Sequence, residues 1–219
     1  MLSGFWANIG NILGKRISDD RPRTNLIMQP SAAPGIELSK AFRSIAQMEQ
    51  ASSVEEFEDA WKGYLHCIER CFNKAAAHFK KSPKWDAWWG KYKSLRTKDE
   101  LLSYLVNARG ADEHSVEEIV SREGAGITIN PAFGDVLYFD HFSMDGTGNI
   151  SFSAPLGAKI EFIPERMVLI PVKNRGRIYP VPTIHMGAMI DPCDVPRVAR
   201  LAHGFYAQFL SEADNYFVK

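Results

Sequence analysis

The sequence predicts an α+β protein: an N-terminal helical bundle, then a small antiparallel β-sheet or barrel-like module, then a closing C-terminal helix. Three observations predict this order. Apolar residues recur at helical spacing from residue 36 to about residue 122, short β-rich runs follow from residue 124, and helical spacing returns from Val195 to Phe217. Gly, Pro, Asn and Asp separate the β-rich runs, which is typical of antiparallel strands joined by turns.

The composition is that of an ordinary globular protein, with 45% apolar and 24% charged residues. Lysine and arginine together number 26, as do aspartate and glutamate, so no global basic field attracts nucleic acid. No apolar run approaches the ~18 residues that span a bilayer. Three cysteines do not make a secreted disulfide framework. We therefore expect a cytoplasmic protein with free thiols, no transmembrane segment, no metal site and no cofactor.

Residues 1–35 are expected to form an N-terminal segment and a linker. Apolar side chains near the start fall on one side of a short helix, at Phe5, Trp6, Ile9, Ile12 and Leu13. This face either docks on the protein's own body or a second subunit, or lies on a membrane surface. Three prolines and the charged run at residues 19–23 are typical of a linker.

Residues 36–123 are expected to form a bundle of about four helices. The first covers residues 36–50, and Ser53-Val54-Glu55-Glu56 resembles a capping box that opens a long second helix. Ser82-Pro83 ends that helix, and a short tryptophan-rich helix follows at residues 85–89. Thr97-Lys98-Asp99-Glu100 then starts the last helix, which completes the number that a bundle needs.

Residues 124–219 are expected to form the β module and the closing helix. Six β-rich runs predict its strands. They are Ile127–Ile129, Val136–Phe139, Ile150–Phe152, Lys159–Ile163, Met167–Ile170 and Arg177–Tyr179. Residues with turn chemistry lie at Asp145–Asn149 and Asn174–Gly176. This pattern predicts an antiparallel meander or a small barrel.

The last bundle helix carries Arg109, Asp112, Glu113 and His114, which are costly to bury without partners. A histidine titrates near neutral pH and acts as an acid or a base. An arginine binds phosphate through two parallel hydrogen bonds. Together they meet the needs of RNA cleavage without a metal, with His114 as the acid/base and Arg109 as the phosphate clamp.

The spacing Arg109-x4-His114 resembles the R-x4–6-H motif of HEPN domains, over about residues 37–122. HEPN domains are helical bundles that include many metal-independent ribonucleases. The resemblance implies a bacterial endoribonuclease of toxin or phage-defence type that leaves a 2′,3′-cyclic phosphate on RNA. It also implies a homodimer, in which the Arg–His helices of two subunits face each other, and a cognate antitoxin. Gly110 departs from the family, whose enzymes carry a polar residue there, and Asp112 or Glu113 would substitute for it.

Helical spacing places Asn107, Gly110, Ala111 and His114 in one stripe of small and polar residues. Such a stripe lets another helix or a substrate backbone approach closely, and Gly110 leaves the imidazole uncrowded. An alternative rests on the same helix, because Arg109 and Glu113 have the i,i+4 spacing of a simple ion pair. The protein is then a non-catalytic, dimerising binding or scaffolding protein of unknown ligand.

Overall fold

A computed structural model of the chain describes residues 28–114, 119–131, 133–134, 136–147, 149–153 and 157–218, with the backbone alone for His114. The apolar segment expected near the N-terminus lies outside these residues. The helices are α1 (Ala32–Gln50), α2 (Val54–Phe79), α3 (Trp85–Lys98), α4 (Glu100–His114) and α5 (Val195–Phe217). The predicted α+β class, with four helices before the strands and one closing helix, is confirmed.

The helix ends follow from local sequence. Ser53 Oγ accepts a hydrogen bond from Glu56 N at 3.1 Å, and Glu56 Oε2 accepts one from Ser52 N at 2.8 Å. These two bonds satisfy backbone donors at the predicted start of α2. α1 begins at Ala32, earlier than predicted. Pro34 is tolerated in its first turn because backbone N–H groups at this position have no partner within the helix, so the N–H that proline lacks is not missed. The bounds of α5 coincide with the predicted ones.

The helical core lies where α2 packs against α1 and α5. Trp61, Tyr64 and Leu65 of α2 are fully buried. The Tyr64 hydroxyl donates a hydrogen bond to the carbonyl oxygen of Ala199 on α5 at 2.8 Å. The tryptophans of α3 extend the same core, since the ring centres of Trp88 and Phe217 are 5.1 Å apart. α1, α2, α3 and α5 therefore share one apolar core.

The described strands form antiparallel pairs. They are β1 (Val120–Glu123), β2 (Gly126–Asn130), β3 (Phe142–Met144), β4 (Ile150–Phe152), β5 (Lys159–Ile163), β6 (Arg166–Leu169), β7 (Val172–Asn174), β8 (Arg177–Tyr179), β9 (Ile184–His185) and β10 (Ala188–Met189). β1 pairs with β6, β2 with β5 and β3 with β4, so these three pairs are nested. We call the described residues between 120 and 169 the β arm. It is one long, interrupted hairpin rather than the expected meander, and the described strands close no barrel.

Only the base of the β arm belongs to the core. Val120 and Leu169, paired across β1 and β6, are both buried. At the far end, Asp145 Oδ1 accepts hydrogen bonds from the backbone N–H groups of Thr147 and Asn149, each at 2.9 Å. These bonds form the turn that the sequence predicts there.

The last four strands form two hairpins, each with one strand against α4. β7 and β9 both pack on this helix, and the Tyr104 hydroxyl of α4 donates to the carbonyl oxygen of Ile170 at 2.7 Å. The β7–β8 turn places Arg175 at φ 50° and Gly176 at φ 76°. Two successive left-handed residues are what a tight two-residue hairpin turn requires, and this turn was also predicted.

Two local predictions are wrong. The helical pattern does not extend to Arg122, because Val120–Glu123 pair with β6 as a strand. Val136–Phe139 is β-rich in sequence but forms no strand, and no described strand pairs with it. Among the residues that the structure describes, no helix has the length and apolar character needed to cross a membrane.

Candidate functional site

The predicted site residues lie on α4, where Arg109 and Glu113 are one turn apart. Their side chains form an ion pair between Nη2 and Oε1, and they are 31% and 33% exposed. The guanidinium of Arg109 therefore binds the carboxylate of Glu113 on its own helix, whereas the predicted role requires it to bind a substrate phosphate. The side chain of His114 lies outside the described residues, so the Arg109–His114 pair stays a prediction.

Asp112 joins α4 to α2. Its Oδ2 lies 3.1 Å from Nε2 of His66, and its Oδ1 lies 3.6 Å from Nζ of Lys62. The Asp112 side chain is largely buried, with 15% exposed. Both oxygens therefore contact α2, and Asp112 acts here as a tie between two helices.

The stripe around Gly110 is covered by β7 of the same chain. Asn174 Nδ2 donates a hydrogen bond to Asn107 Oδ1 at 3.0 Å, and Asn107 Nδ2 donates to the carbonyl oxygen of Ser103 at 2.7 Å. A Cβ atom on Gly110 would lie 2.5 Å from Asn174 Nδ2. The stripe thus admits a close approach, as its composition predicts, and the element that approaches it is a strand of this chain.

A buried pair of Asp99 and His185 was not foreseen. His185 Nδ1 lies 3.0 Å from Asp99 Oδ1, and the two side chains are 9% and 6% exposed. Asp99 also accepts hydrogen bonds from Met186 N at 2.7 Å and from Leu102 N at 2.9 Å. Burial raises the pKa of Asp99, but the hydrogen bonds from Met186, His185 and Leu102 outweigh it and hold that pKa below its usual range.

Asp99 therefore caps α4 and anchors the β9–β10 hairpin at once. The helix start predicted near Asp99 indicates from local sequence that this residue caps α4. Its partner His185 is 86 residues away, and no local pattern connects the two.

A cleft of about 800 Å³ opens at the base of the β arm, beside the starts of α2 and α5. Both of its lining arginines are paired, Arg122 with Glu165 at 2.6 Å and Arg166 with Glu123 at 2.7 Å. Burial raises the pKa of the Cys193 thiol, which keeps it protonated at neutral pH. The cleft therefore lacks an activated thiol and an unpaired arginine among its described lining residues. The described residues also contain no group of three His, Cys, Asp or Glu side chains that could hold a metal ion.

The β arm carries the most unusual surface of the described chain. Between residues 126 and 163, ten large apolar side chains are exposed: Ile127, Phe133, Val136, Tyr138, Phe139, Phe142, Met144, Ile150, Ile160 and Phe162. The register of β2 and β5 sets Ile127 opposite Phe162 and Ile129 opposite Ile160. These four side chains share one side of the ribbon, which we call the apolar face. Thr128, Asn130, Lys159 and Glu161 share the other side.

The sequence contained a signal for this surface. Apolar and polar residues alternate strictly in Ile127–Ile129 and Ile160–Phe162, and only five of the 38 residues from 126 to 163 are charged. Such alternation is the pattern of a strand with one apolar side. It does not tell whether the chain covers that side, and in the structure Phe162 is 68% and Ile160 54% exposed.

Comparisons of the chain with protein-family models, with curated proteins and with solved structures find no match. The resemblance to HEPN domains therefore rests on the spacing of Arg109 and His114. Because a fold does not by itself determine a function, the surfaces of the described residues are the guide, and the apolar face of the β arm is the strongest candidate site.

Proposed function

We propose that this chain is a non-catalytic binding protein whose helical core carries the β arm and whose apolar face binds a protein partner. The exposure of the apolar face carries this proposal. Contiguous apolar surface of this kind marks an interaction site on a soluble protein. Depletion of charge and enrichment of aromatic residues are the composition of an interface centre, and residues 126–163 contain six aromatic and five charged residues.

The state of the predicted ribonuclease residues also supports a binding role. Arg109 is paired with Glu113, and Asp112 is bound to α2. Asn174 occupies the space over Gly110. A nuclease site requires an arginine and a histidine that converge on an open cleft, and these contacts engage the helix with its own chain instead.

The competing proposal is the metal-independent endoribonuclease of toxin or defence type, with RNA as substrate and an antitoxin as partner. It is tested by incubating the wild type, Arg109→Ala and His114→Ala with a mixed RNA ladder in EDTA. Arg43→Ala, on the exposed surface of α1, serves as the matched control. We expect no cleavage by any of the four proteins. Cleavage in EDTA that leaves cyclic phosphate ends, and that His114→Ala abolishes, would replace the binding role with the nuclease.

The binding role is tested with a variant of the apolar face, Ile160→Thr together with Phe162→Thr. Affinity purification of the wild type should retain a protein partner, either a second copy or another chain, that this variant loses. Equal retention by the variant and the wild type would contradict a binding role for the apolar face.

A further inference from the structure

The exposed apolar face of the β arm requires a cover, and we propose that a second copy of this chain supplies it, with the two apolar faces packed against each other. This inference rests on the proposed function, because it names the partner of the same surface. The dimer that it describes differs from the HEPN arrangement, in which α4 of one subunit would face α4 of the other.

The size of the exposed surface suits a dimer. An aromatic side chain has about 150–250 Å² of surface. The arm therefore leaves about 500–800 Å² of aromatic surface in water, from Phe162 on the apolar face and four aromatic side chains elsewhere on the arm, each 39–94% exposed. Five exposed Ile, Val and Met side chains of the arm add to this area. A stable interface buries about 800 Å² on each partner, whereas the largest apolar patch of a typical monomer is about 300–600 Å².

The two sides of the β2–β5 ribbon favour packing face to face. Ile127, Ile160 and Phe162 would become buried between two ribbons, while Lys159 and Glu161 on the other side stay in water. An isolated two-stranded ribbon is marginally stable because it lacks an apolar layer to pack on. The ribbon of a second copy provides that layer.

The charge of residues 126–163 disfavours anionic occupants. Residues 126–163 contain four carboxylates and one lysine, so phosphate groups of nucleic acid or of an anionic membrane are repelled. The apolar face itself carries no charge that would select a differently charged partner. An uncharged apolar face is complementary to itself, and a two-fold axis uses the same patch on both subunits.

The chain's own N-terminal residues enter the structure at the far end of the helical core. Met28 N donates to the carbonyl oxygen of Phe217, and His78 Nε2 lies 2.7 Å from the carbonyl oxygen of Gln29. These contacts lie at the C-terminal ends of α5 and α2, while the starts of both helices border the cleft at the base of the arm. The 26 residues of α2 span about 39 Å. Met28 and Gln29 therefore lie about the length of α2 away from the cleft at the base of the arm.

Sedimentation velocity of the purified full chain over a range of concentrations tests the dimer. We expect the wild type to have twice the 24.6 kDa mass of one chain. The variant Ile160→Thr with Phe162→Thr should associate at least about tenfold more weakly, because it removes central apolar contacts. The matched control, Lys159→Thr with Glu161→Thr, introduces the same residue on the other side of the same strand and should remain dimeric.

A second variant, Ile127→Thr with Ile129→Thr, removes the β2 half of the same face and should give the same weakening if the first variant misfolds.

A monomeric wild type overturns the inference, as does a face variant that associates like the wild type. Loss of the dimer in the Lys159/Glu161 control indicates that the polar side of the ribbon forms the interface and also overturns it. Binding of the wild type to phosphatidylcholine vesicles, without self-association, identifies a membrane as the occupant and overturns both proposals. Arm-dependent binding of a different protein to a monomeric chain overturns this inference alone and leaves the proposed function standing.

Discussion

Asn174 of β7 lies against Gly110 of α4 so closely that a Cβ atom on residue 110 would come within 2.5 Å of Asn174 Nδ2 and 3.0 Å of Cγ. Real Cβ atoms do not approach other atoms this closely, so the contact requires either glycine at residue 110 or a displaced asparagine. Gly110 thus has a packing role at the position where HEPN enzymes carry a polar residue. The same contact joins the hairpin after the β arm to the helical core.

We predict that Gly110→Ala does not stabilise the protein, although alanine favours a helix interior by about 1 kcal/mol over glycine. The added methyl group displaces Asn174 and breaks its 3.0 Å hydrogen bond to Asn107, which costs about 1 kcal/mol. In an Asn174→Ala background this conflict is absent, so Gly110→Ala should stabilise by about 1 kcal/mol. Urea unfolding of the four proteins measures the coupling. Additive effects of the two substitutions would contradict the contact.

We predict that Asp99→Asn lowers the free energy of unfolding at pH 7 by about 1–3 kcal/mol, because it weakens hydrogen bonds that a buried carboxylate accepts. The folded-state pKa of Asp99 lies below its usual range. Its ionised form therefore stabilises the fold above the unfolded pKa of about 3.9, and this stability is lost as the pH falls through the folded pKa.

The difference in unfolding free energy between the wild type and Asp99→Asn should accordingly shrink as the pH is lowered from 7 toward 3. Asp86→Asn provides the control, since Asp86 is an exposed carboxylate in the first turn of α3. A difference that stays constant with pH would show that the charge of Asp99 does not contribute to stability.

The third stability prediction concerns Glu37, whose side chain is only 1% exposed. Its Oε1 lies 2.6 Å from Lys74 Nζ and 3.4 Å from Lys40 Nζ. The hydrogen bond from Lys74 lowers the pKa of Glu37 despite its burial. We predict that Glu37→Gln destabilises the protein by about 1–3 kcal/mol, because the buried site loses its charge-assisted bonds. Lys40→Gln, at the exposed end of the same pair, should cost less than about 1 kcal/mol. Thermal unfolding of both variants checks the difference, and equal effects would contradict this assignment.

The sequence by itself determined the helices and five of the ten described strands, β2, β4, β5, β6 and β8. Ser53 and Glu56 start α2, the apolar period gives α5 from Val195 to Phe217, and turn residues at Asp145–Asn149 separate β3 from β4. Each of these features depends on side chains within a few residues of one another along the chain. Local chemistry is therefore sufficient to predict them.

Only the tertiary structure decided which segments meet. Residues far apart in sequence meet in three places. The β1–β6 pair encloses the β2–β5 pair, Asn174 approaches Gly110, and His185 pairs with Asp99. The β propensity of a segment does not depend on whether a partner strand lies beside it. Val136–Phe139 is therefore β-rich in sequence, although it forms no strand in the structure. For the same reason, the alternating residues of β2 and β5 account for one apolar side of the ribbon, and only the fold decides that this side is exposed.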